Sequence, residues 1–258
     1  MDNIEFIYID THSHIYQDDY NDDIEQVIRE AKDSGIGRIY LPNVDLDSIE
    51  PMISLYKRDT EFFRIMMGLH PTSVGEDFEK QLIEVKSWFD RYQFSAVGEI
   101  GIDLYWSKDR LEEQKQAFRV QLNWAREMDL PVVIHTRDSL SETLEIVNEF
   151  KGLRGIFHSF GGNVEDAAKI LDAGDFLLGI NGVLTFKNST LRETLKSVPL
   201  SKIVLETDAP YLTPVPYRGK RNHPAYIPLI AEHLSRVYDL PAEEIGRQTS
   251  LNAINLLR

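Results

Sequence analysis

Short apolar runs alternate with helix-period stretches along the whole 258-residue chain, and this alternation restricts the possible folds more than any other feature. The runs are Phe6–Ile9, Arg38–Leu41, Phe63–Met67, Ala96–Val97, Val132–Ile134, Gly155–Phe157, Phe176–Ile180 and Ile203–Leu205. They are apolar at successive positions and rich in Val, Ile and Phe, as strands covered on both faces must be. Between them lie stretches such as Leu111–Asp129, where Phe118, Leu122 and Ala125 recur at helical spacing and the other faces are polar. Eight such units average about 32 residues, the size of a strand–helix repeat. The expected fold is therefore α/β, a TIM-type (β/α)8 barrel, with an open doubly wound sheet as the alternative topology. Pro131 before the fifth run, and Pro241 with Glu243 and Glu244 behind it, sit where a strand and a last helix would begin. No Gly/Ser linker or composition break divides the chain, so residues 1–258 read as a single domain.

Charge and composition narrow the class. With 28 Lys+Arg against 42 Asp+Glu the formal charge is −14, which argues against tight binding along duplex nucleic acid but not against handling a short end. The absence of cysteine excludes a disulfide scaffold, zinc–thiolate and Fe–S sites, and a thiol nucleophile. The segment Met1–Asp10 carries acidic and no basic residues, unlike a signal peptide. No apolar run approaches the roughly 18–20 residues of a membrane span. The reading is a soluble cytoplasmic protein, with a monomer favoured.

Polar residues cluster at the ends of the apolar runs. His12 and His14 follow the first, His70 the third, Glu99 the fourth, His135 the fifth, His158 the sixth and Asp208 the eighth, whereas His233 falls inside a predicted helix. In a parallel barrel all strand C-termini meet at one mouth, so residues from 12 to 208 converge in one pocket. Residues i and i+2 of an extended chain point to the same side, which lets His12 and His14 reach one ion. Four histidines and two carboxylates exceed what one catalytic zinc takes, so two divalent ions sharing Glu99 is the economical arrangement. Imidazole plus carboxylate without thiolate suits Zn, Mn, Fe, Co or Ni, with Mg at an oxygen-richer position.

These residues lie in recognisable motifs: Ile9-Asp10-Thr11-His12-Ser13-His14, Gly68-Leu69-His70-Pro71 and Gly98-Glu99-Ile100-Gly101-Ile102-Asp103. Leu130 through Asp138, His158-Ser159-Phe160 and Leu205 through Leu212 continue the series in order. From about Tyr8 onward the chain resembles the TatD-type metal-dependent deoxyribonucleases, a branch of the amidohydrolase-like barrels. That resemblance implies His12, His14, Glu99 and Asp208 on one metal and Glu99, His135 and His158 on the other. It also implies hydrolysis of phosphodiester bonds at single-stranded DNA or other short nucleic-acid ends. The chain departs from the family pattern at Tyr16, where an acidic residue or Asn is usual, and at His223, where Glu is usual. Both departures bear on substrate preference, and neither is expected to touch a ligand.

Water activated by two metals would be the attacking group, with Asp208 as proton acceptor and Glu99 as the shared catalytic ligand. Glu206, two residues before Asp208, can hold a ligand histidine or pair with an arginine. Arg218, Lys220 and Arg221 form a basic cluster in the loop after the eighth run, suited to phosphate. His70 and Arg137 are further substrate contacts or braces, and Asp138 reads as a brace. Tyr16, Tyr105, Trp106, Tyr211 and Tyr217 are candidate stacking surfaces, with Tyr105 or Trp106 foremost. The same site would also serve removal of a D-amino acid from mischarged tRNA, or a small-molecule ester or amide hydrolase. A barrel that only binds metal is disfavoured because every expected ligand is present.

Overall fold

The computed structural model describes residues 8–257. Phe6 and Ile7 of the first apolar run, and most of the segment weighed as a leader, lie outside the described residues. Eight parallel strands form one sheet in sequential order: β1 Tyr8–Asp10, β2 Ile36–Pro42, β3 Phe63–Met67, β4 Ala96–Asp103, β5 Val132–Arg137, β6 Arg154–Phe157, β7 Asp175–Ile180 and β8 Ile203–Leu205. Helices alternate with them: α1 Ile24–Asp33, α2 Leu46–Tyr56, α3 Phe78–Ser87, α4 Leu111–Glu127, α5 Leu140–Val147, α6 Val164–Ala173 and α7 Leu191–Leu195. Two more, α8 Ile227–Tyr238 and α9 Ala242–Leu256, follow β8. The sheet closes where the chain leaves β1 and β8. Thr11 donates its backbone N–H and its hydroxyl to the Leu205 carbonyl, His14 N–H bonds Ala209, and Asp208 N–H bonds His12. The architecture is the TIM barrel and not the open sheet.

Strand alternation sorts the apolar residues into two layers. Ile9, Tyr40, Met66, Ala96, Val133, Ile156, Leu177 and Val204, one from each strand, form a cluster of their own inside the barrel. Ala253, Leu256 and Leu257 close it at the N-terminal end, where the Tyr40 hydroxyl bonds the Leu257 carbonyl at 2.7 Å. Intervening residues such as Ile39, Ile65, Val132, Phe157 and Leu205 face the helices in the larger core. A residue two or four positions beyond an inward one again points inward. Val133 therefore predicts His135 and Arg137, Ile156 predicts His158, Met66 predicts His70, and Val204 predicts Glu206 and Asp208.

β4 differs from the sequence reading. Glu99 was expected at the end of a strand stopping near Val97, but the strand runs on to Asp103 with every residue buried. Its pairing with β5 shifts register between Val97 and Ile100, which changes which residues face inward and brings Glu99 to the barrel axis. Gly101, at φ +143°, leaves no room for a side chain, since a Cβ would collide with the His135 carbonyl.

Candidate metal centre

The imidazoles of His12, His14, His70, His135 and His158 surround the Glu99 carboxylate, which is 2% exposed. Its two oxygens face different rings. Oε2 lies 3.1 Å from His12 Nε2 and 3.7 Å from His14 Nε2. Oε1 lies 2.9 Å from His135 Nδ1, 3.5 Å from His70 Nε2 and 3.6 Å from His158 Nε2. Asp208 brings Oδ1 to 3.7 Å from His14 Nε2 and 3.9 Å from both His12 and His158 Nε2. Among the described residues, three overlapping trios place ligand atoms within 4.8 Å of one another: His12–His14–Asp208, His12–Glu99–His158 and His70–Glu99–His135.

Hydrogen bonds on the far side of His14 and His70 set which nitrogen of each is free. The Tyr16 hydroxyl donates to the Pro42 carbonyl at 2.6 Å, so it accepts at 2.9 Å from His14 Nδ1–H and leaves His14 Nε2 with a lone pair. His158 Nδ1 lies 3.0 Å from Glu206 Oε1, which also takes the Ser159 backbone N–H at 2.7 Å. Glu206 thus faces a histidine of the cluster rather than an arginine. Gly179 makes space for it, since a Cβ there would collide with the Glu206 carboxylate. His70 is arranged the opposite way. Its Nδ1 accepts from the Thr72 backbone N–H at 3.2 Å, so the proton resides on Nε2 and an N–H points into the site. His135 spans two carboxylates, with Nε2 2.9 Å from Asp103 Oδ2.

Burial holds His12, His14, His70 and His158 below the ordinary imidazole pKa, so these rings remain neutral. His135 is the exception. Burial lowers it, but Asp103 and Glu99 override that and raise it to about 9. Burial would raise Glu99, yet His12, His70 and His158 hold it well below the usual range. Burial pushes Asp208 to about 7 against the pull of His158, and Glu206 to about 7 against that of His12.

The donor set fits divalent cations. His12 and His14 Nε2 stand 3.2 Å apart. Two nitrogens on one tetrahedral zinc at 2.0–2.1 Å would be separated by roughly 3.3–3.4 Å. Two carboxylates, Glu99 and Asp208, facing the Nε2 atoms of His12, His14 and His158, with the lone pair of His14 turned inward, form an arrangement that a cation completes. His12, His14, Glu99, His135, His158 and Asp208 all meet here, and His70 meets them through its N–H.

The outer residues are distributed differently from expectation. Tyr16 is not a stacking surface at the mouth. It is buried at 7% exposure and touches His14, because its ring packs inward beneath the first loop. Arg221 is engaged by the loop that follows β1: it pairs with Asp23 at 2.5 Å, donates to the Asp19 carbonyl and lies 4.3 Å over the Tyr20 ring. Only Arg218, 3.7 Å over Phe186, and Lys220 remain as exposed cations of that cluster. His223 is engaged with the Ala225 N–H and with Glu30 at 3.1 Å, so this departure holds a loop to α1.

Asp10 and Asp103 carry more than the sequence reading assigned them. Asp10, fully buried, accepts from Thr207 N–H and hydroxyl at 2.9 and 2.5 Å and from the His12 N–H at 3.3 Å. It ties the loop bearing His12 and His14 to the segment bearing Asp208. Asp103 orients His135. Both lie within the quoted motifs, and an acidic residue two positions from a candidate ligand, His12, was the available signal for Asp10.

Comparison with known proteins identifies relatives of the chain. Residues 9–258 match the family described as TatD related DNase. The chain is 34% identical to the uncharacterized metal-dependent hydrolase YabD of Bacillus subtilis, over 96% of this chain and 98% of that one. It is 31% identical to the uncharacterized metal-dependent hydrolase YcfH of Escherichia coli K12, covering 96% of this chain and 94% of the other. The crystal structure of YjjV, a TatD homologue from E. coli K12, superposes with a TM-score of 0.91 at 25% identity, covering 98% of this chain and 99% of that one.

Proposed function

The chain belongs to the TatD-related family of metal-dependent hydrolases, and from that premise we propose that it is a deoxyribonuclease cleaving phosphodiester bonds at single-stranded DNA ends with two divalent ions. The division of Glu99 carries this reading: one oxygen faces His12 and His14, the other faces His135, His70 and His158. A carboxylate so placed would serve two cations held in one site. His12, His14, Glu99 and Asp208 would hold one ion, and Glu99, His135 and His158 the other. When bound, such ions supply positive charge against phosphoryl oxygens and acidify water enough for attack at neutral pH.

The protein's own groups do the rest. Asp208, held beside His12, His14 and His158, accepts the proton of the attacking water. The inward N–H of His70 is a donor for a phosphoryl oxygen. Arg218 and Lys220 neutralise flanking phosphates from the loop after β8. Glu206, Tyr16 and Asp103 keep three imidazoles oriented while charge builds in front of them.

Hydrolysis of end-labelled single-stranded DNA, after chelation and resupply of each divalent ion in turn, tests the proposal. Released nucleotides are the expected product. Intact DNA, together with free amino acid and intact tRNA from an aminoacyl-tRNA, would assign the site to ester hydrolysis instead.

A further inference from the structure

Arg137 ends β5 two residues beyond His135, and both fall on the inward face of the strand. The guanidinium makes no ion pair or hydrogen bond among the described residues. It lies 3.7 Å over the Tyr105 ring and 5.5 Å from that of Trp106, while Arg110, Arg119, Arg154 and Arg221 each have a carboxylate partner. Stacking on a ring leaves the edge of the planar fork, with its N–H donors, open to an anion. The rings themselves are exposed, Tyr105 by 54% and Trp106 by 72%, and meet nearly at right angles, 87°, with centroids 5.0 Å apart. Beside Trp106 is a cleft of about 450 Å³ lined by Pro71, Thr72, Asp103, Ser107 and Arg110. Asp103 is the residue that holds His135, and Pro71 follows His70, so the cleft borders the metal centre. Its volume lies in the range that small organic ligands occupy, roughly 300–1,000 Å³.

We propose that Arg137, Tyr105 and Trp106 form a nucleotide subsite, in which Arg137 binds the phosphate next to the scissile one and Trp106 stacks on the attached base. This rests on the nucleic-acid reading of the metal centre above. An indole recognises the face common to all bases, so the subsite holds a strand without selecting its sequence. It also supplies the mouth with a stacked, unpaired guanidinium, the role that Arg221 does not fill.

Metal-loaded protein titrated with a five-residue phosphorothioate oligothymidylate, which resists hydrolysis, provides the test. The chain has three tryptophans, and Trp88 and Trp124 are buried, so quenching of emission on binding reports Trp106. Arg137→Ala is expected to weaken binding at least tenfold and to lower the log–log salt slope by about 0.7. Arg137→Lys should restore the slope but not the full affinity. Trp106→Ala should abolish the quenching and weaken binding by about 5- to 150-fold. Elemental analysis should find wild-type metal content in every variant. If wild type binds and cleaves single strands while Arg137→Ala and Trp106→Ala keep its affinity and slope, the subsite is overturned alone. If wild type neither binds nor cleaves any single strand, the nucleic-acid reading falls and takes the subsite with it.

Discussion

The Tyr16 hydroxyl joins His14 to the end of β2, accepting from the imidazole at 2.9 Å while donating to the Pro42 carbonyl at 2.6 Å. That single phenol fixes which nitrogen of His14 faces the centre. Tyr16→Phe preserves the buried ring and removes only the acceptor, stranding His14 Nδ1–H. Metal affinity, measured by competition with a chelator, should fall by the roughly 10–100-fold typical of a lost ligand support. Wild-type affinity would show that the phenol does not orient the ring.

Glu99→Gln keeps the shape of the side chain and removes its charge. Because the two oxygens serve different imidazoles, both ions should weaken together, with the barrel still folded by circular dichroism. Loss of one ion with the other at full occupancy would separate the two halves of the site.

Asp208→Asn should lower turnover by the roughly 10²–10⁴-fold expected on removing a general base. The residue lies beyond β8 and outside the packed barrel layers, so thermal stability should change little. Wild-type turnover in this variant would refute its role as proton acceptor.

Arg221→Ala tests a structural role. Loss of its pairing with Asp23 and its stacking on Tyr20 should cost about 1 kcal/mol or less, as exposed ion pairs and cation–π contacts usually do. Arg221 holds the Asp23 carboxyl below its ordinary pKa. The stabilisation is therefore present above the unfolded-state carboxyl pKa and lost as pH falls through the depressed folded value. The gap in melting temperature between wild type and variant should narrow on acidification. A gap that persists unchanged in acid would assign the stabilisation to the Tyr20 ring and the Asp19 carbonyl instead of Asp23, and a reduced salt slope for oligonucleotide binding would return Arg221 to the substrate.

Much of this centre was legible because strand periodicity and ligand chemistry coincide. His135, His158 and Asp208 each stand an even number of residues beyond an inward apolar residue. Glu99 was legible as a member of the cluster but not as a mid-strand residue, since Gly98 and Gly101 interrupt the apolar run that marks a strand and a register shift turns the carboxylate inward. Tyr16 was misplaced, and the partners of Arg221 were not foreseen, for a different reason: these contacts depend on tertiary closure. Tyr16 bonds a carbonyl on the neighbouring strand, and Arg221 meets an aspartate 198 residues away. Residue type and local spacing hold no record of such pairings.

The central claim, one site built on Glu99 for two ions that act together, is tested most directly by titrating chelated protein with Mn²⁺ while following bound metal and nucleotide release in the same samples. Binding should saturate at two equivalents per chain, with release from single-stranded DNA growing as the second equivalent fills. Saturation at one equivalent, or full release with only one ion bound, would contradict it.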